Sequence, residues 1–218
     1  VAVDGSTLFV AATLAVVLGT AVVGVRGIGF EQVFPEGHDG VVLTMDDDRS
    51  ERAGADIRLR DGCVAEIGPG LAPDGAEIFD SAGCLVTPGL VNTHHHLFQT
   101  MTRAVPAAQD AALFGWLRTL YPIWARMGPD HMRVSALTGL AELALSGCTM
   151  SSDHLYLFPN GARLDDTIDA ARQIGLRFHA TRGAMSIGES DGGLPPDSLV
   201  EREEARGKLA PEPELETV

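Results

Sequence analysis

Three consecutive histidines, His94, His95 and His96, lie in the segment Thr87-Pro88-Gly89-Leu90-Val91-Asn92-Thr93-His94-His95-His96-Leu97-Phe98-Gln99. A Pro-Gly turn, a short apolar run and a cluster of imidazoles follow one another, so the pattern predicts a strand that carries histidines at its end. Successive side chains on a strand alternate between faces, which puts His94 and His96 on one side and His95 on the other. Two imidazoles on one face can hold a divalent metal and leave coordination positions open for water. An isolated histidine pair is more often a surface cluster or a pair of core residues bonded to backbone, and the flanking sequence has to decide.

The flanking residues resemble the amidohydrolase superfamily. There, a Pro-Gly-apolar-apolar-(Asp/Asn)-x-His-x-His segment ends the first strand of a metal-dependent (β/α)8 barrel. The likeness continues through Leu97-Phe98-Gln99-Thr100, Arg103 to Asp110, Phe114-Gly115-Trp116-Leu117, Tyr121-Pro122-Ile123-Trp124, Ser151-Ser152-Asp153-His154-Leu155 and Arg182-Gly183-Ala184-Met185-Ser186. Together these look like the cytosine-deaminase-like branch, most closely the 8-oxoguanine deaminases, with triazine aminohydrolases as near relatives. The resemblance covers about residues 41–200.

The resemblance implies that His94 and His96 bind the metal, zinc or else iron, and that a metal-bound hydroxide attacks an amidine-like ring carbon while a carboxylate helps ammonia depart. It matches Gln99 to a position whose amide faces the purine, and an amide can both donate to and accept from a heterocycle edge. Phe98, Trp116 and Trp124 could stack on a flat ring, although aromatics at helical spacing more often build a core. His154 and Arg182 close the second and third strands, where barrels deliver pocket-lining residues. His95 is expected to be structural, His131 and His38 exposed, and His179 packed.

The superfamily pattern also calls for a histidine in a His-x-Ala-Glu context on strand five, another on strand six and an aspartate ending strand eight. None occurs in these 218 residues. The catalytic acid and base are therefore unassigned, and the chain on its own is not expected to be a competent enzyme. The reading is the N-terminal portion of a metal-dependent deaminase of an oxidised purine, acting on a small heterocycle and forming a homo-oligomer. A triazine or other cyclic amidine hydrolase is the alternative within the superfamily, and amide or chloride hydrolysis a further variation. A non-catalytic half-chain that binds a partner, or a membrane through residues 5–25, is the alternative from another class.

Composition narrows the classes. A net charge of −14 with no Lys/Arg block argues against nucleic acid as a partner. Cys63, Cys84 and Cys148 are scattered without a Cys-x-x-Cys pair, as in a protein of a reducing compartment, and a cytoplasmic location is expected.

The elements that must position the histidines follow from periodicity. Residues 1–39 form an apolar extension whose stretch from Gly5 to Val25 is uncharged and long enough for a membrane helix, but no basic segment precedes it. Residues 40–87 alternate as short strands, at 41–45, 56–60, 63–67, 77–80 and 84–86, with Asp61-Gly62 as a tight turn; the resemblance implies that they are part of the small β-sandwich that flanks the barrel in that family. Asp46 to Asp48 read as a solvated turn. Residues 88–196 alternate strand and helix, with helices at 110–125, 130–146 and 164–174 and strands at 148–154 and 176–182. That alternation argues an α/β fold with a parallel sheet, and the resemblance implies that it is an incomplete (β/α)8 TIM barrel. Residues 197–218 hold seven acids and three bases and few large apolar residues, so a solvated, disordered tail is expected.

Overall fold

The computed structural model describes residues 40–61 and 63–200, and also places strands β1 (Leu14–Leu18), β2 (Ala21–Val25), β3 (Gln32–Phe34) and, near the end, Leu215–Thr217. Two compact units divide the chain, one of residues 1–91 with 144–149 and one of residues 92–143 with 150–218.

The first unit is built from strands. After β1 to β3 come β4 (Val41–Leu43), β5 (Glu51–Ala53), β6 (Asp56–Arg60), β7 (Cys63–Gly68), β8 (Glu77–Ile78) and β9 (Leu85–Pro88). They form two sheets, in the orders β2-β1-β9-β4-β5 and β7-β6-β3-β8. In β6, Ile57 and Leu59 are 2% and 1% exposed and share a small core with Val42, Cys84 and Val86. Arg60 pairs with Cys63 across Asp61-Gly62, and φ of 52° at Asp61 suits the primed turn that joins twisted strands. Buried Asp56 accepts the Leu71 N–H at 2.7 Å, and buried Arg58 reaches Asp74 at 3.3 Å, so two charged residues fasten the following loop. Asp46, Asp47 and Asp48 are exposed in a turn closed by Arg49 N–H to the Asp46 carbonyl.

The alternative reading of residues 5–25 as a spanning helix is not met by the described residues. Within the apolar stretch, β1 and β2 pair antiparallel, Leu14 opposite Val25 and Leu18 opposite Ala21, so this segment is a hairpin and not a spanning helix. β-branched Val at 16, 17, 22 and 23 favours this outcome. The rest of residues 1–39, including His38, lies outside the described residues. Among the described residues no helix is long and apolar enough to cross a membrane.

The second unit is mixed α/β. β10 (Leu90–Asn92) is followed by a 3-10 turn at Leu97–Thr102, helices α1 (Leu113–Trp124) and α2 (Pro129–Leu145), strand β11 (Cys148–Leu155), helix α3 (Leu164–Ile174), strand β12 (Arg177–Arg182) and strand β13 (Leu215–Thr217). The sheet order is β10-β11-β12-β13. β11 and β12 run parallel in register from Met150 opposite Arg177 to Leu155 opposite Arg182, with α3 as the crossover. α3 begins where the Arg163 N–H donates to Asp166 Oδ2 at 2.7 Å, and it stops at Gly175, whose φ of 80° suits a residue without Cβ.

Four local expectations are corrected. α1 starts at Leu113 instead of 110, because Asp110 adopts a left-handed φ of 58° and Ala112 is extended. Helical spacing expects Leu137, Leu140, Ala141, Ala144 and Leu145 on the apolar face of α2, but its buried stripe is Met132, Ser135, Ala136, Gly139 and Leu140, and Leu145 is 77% exposed. Small residues on that stripe admit close packing: a Cβ on Gly139 would sit 2.8 Å from Leu97 Cδ2 and 3.0 Å from Thr100 Oγ1. The strand expected to carry the histidines ends at Asn92, so His94 to His96 occupy an irregular segment. Residues 197–200 are not a free tail: Asp197–Leu199 form a 3-10 turn with Leu199 3% exposed, and β13 pairs antiparallel with β12. Residues 201–214 and 218 lie outside the described residues.

Candidate active site

The site begins where β10 is broken. Asn92 Oδ1 accepts the His94 backbone N–H at 3.0 Å, a local turn that withdraws this amide from sheet pairing. The next three residues are tied to the end of β11. The His154 N–H donates to the His95 carbonyl at 2.8 Å, His96 Nδ1 lies 2.8 Å from the His154 carbonyl, and the Leu97 N–H donates to Asp153 Oδ1 at 2.8 Å.

These bonds fix chemistry as well as position. A carbonyl only accepts, so His96 Nδ1 carries a proton, and in the neutral ring Nε2 presents the lone pair. A backbone acceptor on the far nitrogen is the arrangement that orients a ligating histidine. The His94 ring stands edge-on to it at a centroid distance of 4.9 Å. The same logic applies to His154, whose Nδ1 is 3.1 Å from Thr181 Oγ1. Thr181 donates its single hydroxyl proton to the Asp153 carbonyl at 2.8 Å, so towards His154 it can only accept. Neutral His154 therefore also presents Nε2. Burial, then the neighbouring His96 and His94, lower its pKa and favour the neutral ring.

Gln99 Nε2 lies 3.2 Å from the Tyr156 hydroxyl, and the Tyr156 ring stands 5.1 Å from His96 and 5.3 Å from Phe98. Burial pushes the Tyr156 hydroxyl up to about 12, so it stays protonated and can donate or accept. An open cavity of about 270 Å³ is lined by His94, His95, His96, Gln99, Thr100 and Gly139, together with the Arg103–Glu142 pair, joined by two bonds of 2.7 Å.

The structure thus brings His94, His96 and Gln99 to one cavity and sets His154 beside His96, at 5.7 Å between rings. His95 lines the same cavity instead of facing away, since strand alternation ends at Asn92; its half-buried ring has a pKa lowered by burial first and by His96 next. Phe98 and Trp124 are fully buried and offer no face to a ligand. The Trp124 Nε1–H donates to Thr102 at 3.1 Å, and Trp116 packs edge-on against Trp124 at 5.3 Å, outside the cavity lining. Arg182 likewise lies outside it, with its guanidinium 4.6 Å above the Phe158 ring. His131 is exposed and accepts the Gly128 N–H, and His179 is half-buried on β12.

Asp153, Tyr156 and Thr181 were not singled out by residue type. A lone acid inside an otherwise uncharged strand, Thr149-Met150-Ser151-Ser152-Asp153, is the one signal that could have flagged the first, because acids are rarely fully buried without a task.

A metal fits this donor set as far as it goes. His94 and His96 would supply two nitrogen ligands; among the described residues no group of three or more His, Cys, Asp or Glu converges.

The amidohydrolase family profile matches residues 85–217, more than half of the chain, and the chain belongs to that family. It is 46% identical over 159 residues to the 8-oxoguanine deaminase of Pseudomonas aeruginosa, covering 70% of this chain and 35% of that protein. It is 35% identical over 188 residues to the hydroxydechloroatrazine ethylaminohydrolase of Pseudomonas sp. (strain ADP), covering 79% and 37%. The chain therefore spans a little over a third of the length of these two relatives. Among solved structures it superposes on atrazine chlorohydrolase from Arthrobacter aurescens TC1 complexed with zinc, with a TM-score of 0.70, 30% identity and coverage of 80% of this chain and 40% of that one.

Proposed function

We propose that the whole protein is a metal-dependent hydrolytic deaminase of an oxidised purine of the 8-oxoguanine type, releasing ammonia. The carrying observation is the oriented histidine pair: His96 is locked with Nε2 free, its ring edge to that of His94, and Gln99 lines the same cavity. The identity to an 8-oxoguanine deaminase supports the choice of ring.

In this reading the fold is the first part of a (β/α)8 barrel preceded by part of a small β-sandwich. His94 and His96 hold zinc, with iron the second choice. When bound, the metal makes hydroxide available near neutral pH. The chain's own residues orient the substrate. Gln99, steadied by Tyr156, pairs with a polar edge of the heterocycle, and His154 Nε2 accepts a ring N–H. Trp116 packs on Trp124 and Arg182 on Phe158, so neither is assigned a direct contact, whereas His154, although outside the cavity lining, has its ring beside that of His96. The acid and base lie beyond the residues described. The 218-residue chain alone is inactive in this reading, and the whole protein is a cytoplasmic homo-oligomer without nucleic-acid partners.

A second reading, hydrolysis of a triazine or related cyclic amidine, is favoured by the superposition on atrazine chlorohydrolase. Product release by the zinc-loaded whole protein, followed as ammonia from 8-oxoguanine, as ammonia or alkylamine from aminotriazines and as chloride from chlorotriazines, separates the two. Turnover of 8-oxoguanine alone is expected. Turnover of a triazine with none of 8-oxoguanine would reject the purine assignment.

A further inference from the structure

Asp153 is the feature of this unit that the proposed chemistry leaves unused. Its side chain is 0% exposed on β11, among apolar neighbours such as Leu155 and Leu97, both also 0% exposed. Burying a carboxyl is costly unless its bonds compensate, and it is rarely retained without a structural or functional return. Here Oδ1 accepts the Leu97 N–H at 2.8 Å, while Oδ2 is buried with no hydrogen-bond partner. An unpaired oxygen means that general stability does not explain the residue; the bond to Leu97 does.

That bond has a particular place. Residues 95, 96 and 97 are each joined to the dipeptide Asp153-His154: the His95 carbonyl accepts from the His154 N–H, the His96 ring donates to the His154 carbonyl, and the Leu97 N–H donates to the Asp153 carboxyl. The first two could persist with any residue at 153, since both use backbone atoms of 154. Only the third depends on a side chain. Without it the Leu97 amide is a buried donor with no acceptor, and the chain just after His96 loses its side-chain anchor to β11. Thr181 adds to the same node through its bond to the Asp153 carbonyl.

We infer that Asp153 is a positioning residue, whose carboxyl oxygen holds the His95-His96-Leu97 backbone so that the His94 and His96 rings converge for metal binding. The inference rests on the reading of those histidines as ligands. It assigns the carboxyl no contact with substrate or metal.

The test uses zinc as the probe and the whole protein, as wild type, Asp153→Asn, Asp153→Leu and His96→Ala, with thermal unfolding of each followed in parallel. Asn keeps an Oδ1 acceptor and Leu keeps volume without one. Zinc affinity should fall about 10- to 100-fold in Asp153→Leu, the loss typical of removing an orienting partner, and no more than about threefold in Asp153→Asn. Equal affinity in wild type and a folded Asp153→Leu, or an equal loss in both Asp153 variants, would overturn the inference. Should His96→Ala leave zinc affinity unchanged, the ligand reading falls and the inference with it; loss there but not in Asp153→Leu rejects the inference alone. If Asp153→Leu does not fold, hydrogen exchange in the unaltered protein decides. A strongly protected Leu97 amide supports the clamp, and exchange as fast as in an exposed loop overturns it.

Discussion

Thr181 Oγ1 donates to the Asp153 carbonyl at 2.8 Å and lies 3.1 Å from His154 Nδ1, so one hydroxyl proton on β12 settles which nitrogen of a histidine on β11 is bare. Thr181→Val keeps the shape of the side chain and removes that control. Nitrogen-resolved NMR of the His154 ring should show a single tautomer in the wild type and a mixture in the variant. With His154 as a substrate acceptor, KM should rise about two- to threefold, the cost of drawing one tautomer from a roughly even mixture, while kcat changes less. An unchanged KM together with a tautomer mixture would remove His154 from substrate recognition.

Tyr156 and Gln99 form the second such pair, with the Gln99 amide 3.2 Å from the phenol oxygen. Tyr156→Phe leaves the ring against His96 and deletes only the hydroxyl. Substrate affinity should drop several-fold, consistent with about 1 kcal/mol for a hydrogen bond, with zinc content intact. Loss of zinc from this variant would mean that the ring is held differently from the arrangement described here.

The packing of α2 on the turn after the histidines predicts a stability effect. A side chain at Gly139 would meet Leu97 Cδ2 and Thr100 Oγ1 at 3.0 Å or less, in a region where Leu97 and Leu140 are 0% exposed. Gly139→Val should therefore destabilise the fold by about 3 kcal/mol, at the upper end of overpacking costs. Chemical denaturation measures it, and a variant as stable as wild type would contradict this contact.

Burial raises the Asp153 carboxyl from 3.8 to about 7. The folded chain then binds a proton there that the unfolded chain releases above pH 3.8, so the sign is fixed. This group's contribution to stability is present in full below pH 3.8, falls as pH rises, and is lost above about pH 7. The span is at most about 4 kcal/mol, at about 1.4 kcal/mol per pH unit. Unfolding free energies of metal-free protein between pH 4 and 8 should decline more steeply in wild type than in Asp153→Asn, and parallel curves would refute the assignment.

Local signals in the sequence were read well where the physics is local. The helix over 164–174 and the Asp61-Gly62 hairpin depend on neighbours within a few residues, the parallel pairing of the strands on either side of α3 follows from their alternation with that helix, and each is present. The joint approach of His94, His96 and Gln99 to one cavity was legible too, although for the wrong reason: strand alternation stops at Asn92, and a side-chain turn with three cross-bonds does the positioning. What stayed hidden depends on distant partners. Asp153 meets Leu97 across 56 residues, and Thr181 meets Asp153 across 28. Trp124 could be read as stacking or as core, and it is core, 0% exposed, as aromatics at helical spacing more often are, with its indole N–H on Thr102 in the interior. Likewise the apolar face of α2 turned on Gly139, whose lack of a side chain rather than its hydropathy admits the neighbouring turn.

Zinc stoichiometry tests the central claim, that His94 and His96 are metal ligands, most directly. The whole protein, purified, loaded with zinc and freed of loose ion by gel filtration, would be analysed by elemental mass spectrometry beside His94→Ala and His96→Ala. Wild type should retain about one zinc per chain and each variant well under half of that, because loss of one ligand from a catalytic zinc set removes much of the binding energy. Full zinc retention in both folded variants would contradict the account.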